Sequence, residues 1–107
     1  MIQKTLLALS EPRRREILAL VQMREMTAGE IAAHFDITAS AVSQHLRVLH
    51  DSGLITVRRQ GTKRYYRLRR EGLTDIKAWI DGFWDDALWR LKTAAEEEER
   101  RRKQERE

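Results

Sequence analysis

The sequence contains no cysteine and a single proline. Without thiols there is no disulfide framework and no thiolate-ligated metal, so disulfide-stapled secreted scaffolds and cysteine metal sites are excluded together. With so little proline, and only five glycines in 107 residues, the chain does not have the composition of a disordered or collagen-like segment. No apolar run approaches the roughly 18 residues that a spanning helix needs. The N-terminus lacks the basic, apolar and small-residue order of a secretion signal. A soluble protein of a reducing cytoplasm is the expectation. There is no glycine-rich loop to cradle a phosphate and no Ser, His and Asp set suggested by placement, so an enzyme is not expected.

What the sequence does hold is charge. Lys and Arg number 21 against 17 Asp and Glu, a net charge of +4, which is a mild bias toward polyanions. The excess is concentrated. Between Arg58 and Arg70 stand seven basic residues (Arg58, Arg59, Lys63, Arg64, Arg67, Arg69 and Arg70) and no acidic one. The tail from Glu96 onward carries five bases and six acids and contributes nothing to the excess.

Periodicity sets the element order. Ile2, Leu6, Leu7 and Leu9 predict a short helix with one apolar face. A second helix starts at Ser10 or Glu11 with Pro12 in its first turn, where the missing N–H costs little. Ile17, Leu18, Leu20 and Val21 form its buried stripe. Thr27 and Glu30 have the spacing of a capping box and open a third, short helix, with Ile31, Ala32 and Phe35 inward. Thr38 is a suitable N-cap for a fourth helix, whose core stripe is Val42, Leu46 and Leu49, and Gly53 ends it.

The period then changes to strand-like at 54–57 and again at 65–68, with Gln60-Gly61-Thr62 as the hairpin tip. After Gly72 it returns to helical, with Ile76, Ile80, Phe83, Ala87 and Leu91 in one stripe, widened by Trp79, Trp84 and Leu88. Glu96–Glu99 and the bases at 100–103 pair in the favoured Glu-first i,i+4 order, so this helix is expected to continue as a charged tail. The fold class is mainly α with a small β-hairpin, a winged helix-turn-helix. Residues 1–95 form the expected DNA-binding and dimerisation domain, and 96–107 the solvent-exposed helical tail.

With Val42, Leu46 and Leu49 inward, the other face of the fourth helix presents Thr38, Ala39, Ser40, Ser43, Gln44 and Arg47. Gln pairs with adenine and Arg with guanine in the major groove, while Ser is less selective. On an isolated helix this would be an ordinary solvated face. A short helix before it and a basic hairpin after it favour base reading. Arg58, Arg59, Lys63 and Arg64 in the wing are expected to contact phosphates, although charge on an edge strand also guards against aggregation. Tyr65 and Tyr66 are adjacent and point to opposite faces, with core packing expected of at least one.

These segments resemble a known family. The run from Thr38 to Leu49, then Asp51-Ser52-Gly53-Leu54-Ile55, is similar to the recognition-helix signature of ArsR-type repressors. The stretch Leu9-Ser10-Glu11-Pro12-Arg13-Arg14-Arg15-Glu16-Ile17-Leu18 resembles that family's second-helix start, and the wing Arg59–Tyr66 is also similar. The resemblance covers roughly residues 2–91. It implies a homodimer that binds double-stranded DNA at an imperfect palindrome, usually as a repressor, with the first and last helices as interface. Expected interface residues are Ile2, Leu6, Trp79, Phe83, Trp84, Leu88 and Leu91.

Many such proteins sense metals, and here the sequence departs. The thiolate positions fall at Thr27 and Gly29. The last helix has Asp75, Asp81, Asp85 and Asp86 but no His, and the only histidines are His34, His45 and His50. No metal and no cofactor are expected, and the Trp-rich last helix, with Trp79, Phe83-Trp84 and Leu88 to Leu91, resembles a metal-independent branch of the family. An organic effector would suit an apolar cleft beside the Trp-bearing helix, but none is identified. The competing readings are a winged helix used only for protein contact, which calls for an apolar or acidic recognition face, and a winged-helix regulator of another family.

Overall fold

A computed structural model describes residues 2–106. Met1 and Glu107, the outer ends of the two expected segments, lie outside the described residues. The elements run α1 (Ile2–Leu9), α2 (Pro12–Met23), α3 (Ala28–Ala32), α4 (Ala39–Asp51), β1 (Ile55–Gln60), β2 (Lys63–Leu68), a 3₁₀ turn (Arg70–Leu73) and α5 (Thr74–Arg106). This is the expected winged helix-turn-helix order. The chain divides after Ile76 into two compact units, the second being the remainder of α5.

The helix starts are chemical. Glu11 caps α2, accepting from the Arg13 N–H at 3.4 Å, with Pro12 at the first helical position. Thr27 and Glu30 close the capping box on α3: Thr27 Oγ1 accepts from the Glu30 N–H, and Glu30 Oε1 from the Thr27 N–H, both at 3.2 Å. Thr38 Oγ1 accepts from the Ala41 N–H at 3.1 Å to open α4. Gly53, at φ +75°, ends α4: its N–H donates to the His50 carbonyl (3.0 Å), and the Leu54 N–H to the Leu49 carbonyl (2.9 Å).

Ala8, Ile17, Leu18, Val21, Met26, Ile31, Val42, Leu46, Leu49, Leu54 and Ile55 form the buried core of the first unit. Each fully buried aliphatic side chain contributes roughly 1.5–3 kcal/mol of burial energy. The expected stripes of α2 and α4 are the ones buried, except that Leu20 is only partly covered.

The first helix packs on the core through its small residues. It buries Thr5 and Ala8, three apart on one face, and leaves Leu6 38% and Leu7 69% exposed. Small residues at these positions bring the α1 backbone close enough for Arg14 Nε to donate to the Ala8 carbonyl at 2.6 Å.

The hairpin is longer than its apolar runs. Its strands pair antiparallel from Ile55↔Leu68 to Gln60↔Lys63. The turn narrows to Gly61-Thr62 because Gly61, at φ +62°, accepts the positive φ of a two-residue turn. Met26 adds an isolated bridge to Tyr66, with N–H to carbonyl bonds of 3.1 and 2.8 Å.

After β2 the chain folds back over the end of α4. The Arg69 N–H donates to the Leu54 carbonyl (2.8 Å) and Arg69 Nη1 to the Gly53 carbonyl (3.1 Å). Gly72 lies against the same backbone, where a Cβ would sit 2.1 Å from the Gly53 carbonyl oxygen. Gly72→Ala is therefore expected to destabilise the fold by about 2 kcal/mol in urea unfolding. Gly29→Ala, whose Cβ would meet nothing closer than Thr27 Oγ1 at 4.0 Å, should stay within about 0.5 kcal/mol of the parent. Equal stabilities for the two variants would show that the close approach is not constraining.

Candidate nucleic-acid interface

Hairpin register sorts the basic residues onto two faces, because strand side chains alternate. The pairs Ile55↔Leu68, Val57↔Tyr66 and Arg59↔Arg64 share one face; Thr56↔Arg67, Arg58↔Tyr65 and Gln60↔Lys63 share the other. The first face is the core face: Ile55 is buried, and Tyr66 and Leu68 pack on the cluster. Arg59 and Arg64 continue this face outward, beyond the last apolar pair.

Their position places them opposite α4. A groove of about 610 Å³ lies between α4 and the hairpin. Its α4 wall includes Ser40, Ser43, Gln44 and Arg47, and its hairpin wall includes Arg59 and Arg64. All six are exposed. None has an intramolecular side-chain hydrogen bond or ion pair among the described residues. A second groove, of about 530 Å³, takes in Thr27, Gly29, Thr62 and Lys63 and shares Ser43, Arg64 and Tyr66 with the first.

The remaining expected DNA-facing residues are placed differently. Thr38 and Ala39 are exposed at the start of α4 and line neither groove, and the Thr38 hydroxyl is engaged as the N-cap. Arg58 is on the outer hairpin face. Its Nε and Nη2 donate to Glu25 Oε2 at 3.0 and 2.8 Å, its Nη1 donates to Gln60 Oε1 at 2.8 Å, and its guanidinium lies 4.7 Å from the Tyr65 ring centre. Arg58 thus braces the hairpin against the segment entering α3. Adjacent Arg58 and Arg59 look alike in sequence, and only register separates them. Glu25 carries the signal of a partner, a lone acid ahead of the capping box, but its contact spans 33 residues.

The histidines have local roles. Arg14 Nη1 lies 3.4 Å from His45 Nδ1, and His34 Nδ1 lies 3.0 Å from the Glu30 carbonyl. His50 stands 4.0 Å from Asp51. Among the described residues no group of three or more His, Cys, Asp or Glu is placed to hold a metal ion. Among the described residues no helix is long and apolar enough to cross a membrane. On α5, Trp79 meets Phe83 edge-on at 5.0 Å, yet Phe83, Trp84 and Trp89 remain 60%, 63% and 68% exposed.

A recognition helix facing a basic wing defines a DNA-binding winged helix-turn-helix. The family profile for "Bacterial regulatory protein, arsR family" matches residues 11–57. The chain is 41% identical over 76 residues to the transcriptional repressor SdpR of Bacillus subtilis, covering 71% of this chain and 84% of that protein. Among solved structures it resembles a possible transcriptional regulator for arsenical resistance, with 48% identity, TM-score 0.69, and coverage of 80% of this chain and 90% of that one. It also resembles the homodimeric winged helix-turn-helix DNA-binding domain of Mb0332 from Mycobacterium bovis, with 29% identity, TM-score 0.64 and 79% of each chain. The chain belongs to the ArsR family of transcriptional regulators.

The Glu25–Arg58 brace is testable through its titration. The Arg58 hydrogen bond, aided by the charges of Arg58 and Arg67, outweighs desolvation and holds the Glu25 carboxyl below its ordinary value. A carboxylate lowered in the folded state adds stability above its unfolded pKa and loses it as pH falls through the folded one. Carboxyl-carbon NMR should show Glu25 titrating low, and returning to the ordinary range in Arg58→Ala. The thermal-stability gap between parent and variant should exist at neutral pH and close in acid. An unshifted Glu25 in the parent removes the brace from the account.

Proposed function

We propose that the chain is a homodimeric, sequence-specific repressor that binds an imperfect palindrome, without catalytic activity and without a metal switch. The observation that carries this reading is the groove of α4 and the wing, where four polar or basic α4 side chains face two unpaired arginines. A major groove about 12 Å wide admits such a helix. Gln44 and Arg47 are suited to base edges, Ser40 and Ser43 to bases or the backbone, and Arg59, Lys63 and Arg64 to phosphates. Arg58 contributes by holding the wing in place. The polar, basic character of the face disfavours a winged helix used only for protein contact. Thr27 and Gly29 at the thiolate positions, and the absence of His from α5, support metal independence.

Selection of bound sequences from random duplex DNA, at several salt concentrations and with or without zinc, tests the reading. A two-fold symmetric site is expected, with the same affinity in zinc and in chelator. Gln44→Ala or Arg47→Ala should cost about 1–3 kcal/mol and relax discrimination at particular bases. Lys63→Ala should weaken binding to all sequences and reduce the salt slope by about one. Binding that fades smoothly with salt and enriches no sequence would contradict specific recognition.

The homodimer rests on the homodimeric Mb0332 domain and on apolar surface exposed here: Leu6 on α1, and Trp79, Phe83, Trp84, Leu88 and Leu91 on α5. Patches of this kind mark association surfaces. Sedimentation should give a dimer. A charge in the stripe, Leu88→Glu, should give a folded monomer with operator affinity reduced about 100-fold or more as the second half-site contact is lost. A monomeric parent that binds the full site normally would remove the dimer from the reading.

A further inference from the structure

Tyr66 occupies an unusual place. Its side chain lines both grooves beside α4, together with Ser43 and Arg64, and its ring also packs on the core cluster. Its backbone N–H and carbonyl both bond to Met26, at 2.8 and 3.1 Å, and on its other side it stands opposite Val57 of β1. The ring is therefore anchored, unlike the exposed ends of the wing arginines. Its hydroxyl has no hydrogen-bond partner among the described residues, which also include no buried side-chain polar atom left unpaired. The hydroxyl therefore reaches solvent at the groove wall. Core packing accounts for the ring and not for the hydroxyl, since phenylalanine would pack as well.

We propose that the Tyr66 hydroxyl, with Ser43 and Arg64, forms a seat for one DNA backbone phosphate where the two grooves meet. The proposal rests on the DNA-binding reading above. A phosphate fits these groups better than a base edge does. The two hydroxyls each donate or accept by rotation and so discriminate poorly among base edges, but both can donate to phosphate oxygens. Arg64, on the same strand face two residues away, supplies the positive charge. An anchored hydroxyl would fix the height at which the duplex sits on α4, and thereby the register in which Gln44 and Arg47 meet base pairs.

Tyr66→Phe isolates the hydroxyl, because the ring and its packing stay. The variant is expected to melt with the parent and to bind every duplex about tenfold more weakly, the scale of one hydrogen bond to a charged group. Its slope of log affinity against log salt should be unchanged, because no cation is removed, whereas Arg64→Ala should lower the slope by about one. Duplexes bearing single methylphosphonates should identify one phosphate whose neutralisation weakens the parent more than the variant. Parent binding with unchanged Tyr66→Phe affinity overturns the seat alone. A loss confined to particular base substitutions assigns the hydroxyl to a base and also overturns it. No duplex binding by the parent overturns the DNA reading and the seat together.

Discussion

The rotation of α4 about its own axis is the constraint on which the rest of the structure depends. Val42, Leu46 and Leu49 are buried in the core, and at 3.6 residues per turn this settles where every other side chain of the helix points. A rotation large enough to hide Gln44 or Arg47 would pull those three aliphatic groups into water. That would forfeit several kcal/mol at roughly 1.5–3 each. The ends allow no compensating slide. The Thr38 hydroxyl holds the first turn, and the bonds around Gly53 hold the last. The polar face is therefore presented as a consequence of core packing rather than by contacts of its own. This is how a surface can stay free of intramolecular hydrogen bonds and still be well placed for a ligand.

The hairpin obeys a second periodicity with the same logic. Burying Ile55 and packing Tyr66 and Leu68 on the core turns Arg59 and Arg64 toward α4 and Arg58 away from it. A slip of one residue would exchange the faces, exposing the apolar set and burying charge. Two contacts oppose such a slip: the Met26 bridge on the free edge of β2 and the Glu25–Arg58 ion pair on the outer face. Both come from residues 25 and 26, so a short segment before α3 fixes the wing and begins the helix-turn-helix. The ion pair is exposed, so its value is orientation more than stability.

Legibility in the sequence followed the range of the interaction. Caps act over three residues, and Thr27 with its partner Glu30, Thr38 and Gly53 were readable. The stripes of α2 and α4 were readable because one period runs through each. The core-packing face of the first helix was not. Its apolar residues outnumber its small ones, but close packing selects Thr5 and Ala8, and nothing local reveals which face a neighbour needs. Nor was the division of labour among the wing bases. Seven cations in thirteen residues announce a polyanion surface. Separating Arg58 from Arg59 required the strand register, the narrowed Gly61-Thr62 turn and a partner 33 residues away. That at least one of Tyr65 and Tyr66 packs on the core was legible; that it is Tyr66, and that two grooves share it, came from the fold.

The groove and the α5 stripe are opposite kinds of surface, and this links the two halves of the proposed mechanism. Besides Leu46, Val57 and Tyr66, the groove is lined by hydroxyl, amide, guanidinium, imidazole and carboxylate groups that water solvates well, so it tolerates exposure and suits the wet, polar contacts of a protein–DNA interface. The stripe of Phe83, Trp84, Leu88 and Trp89 exposes aromatic and aliphatic surface, for which burial against like surface is the favourable outcome. The two respond oppositely to salt. Counterion release weakens phosphate contacts steeply as salt rises, while apolar burial is insensitive or slightly strengthened. One α4 facing one half-site gathers only a handful of specific contacts. Two copies joined through an apolar, salt-resistant surface make the second half-site contact intramolecular, so affinity multiplies without any new contact type. In the proposed dimer, a small basic domain would obtain from symmetry the specificity that one groove is too small to supply.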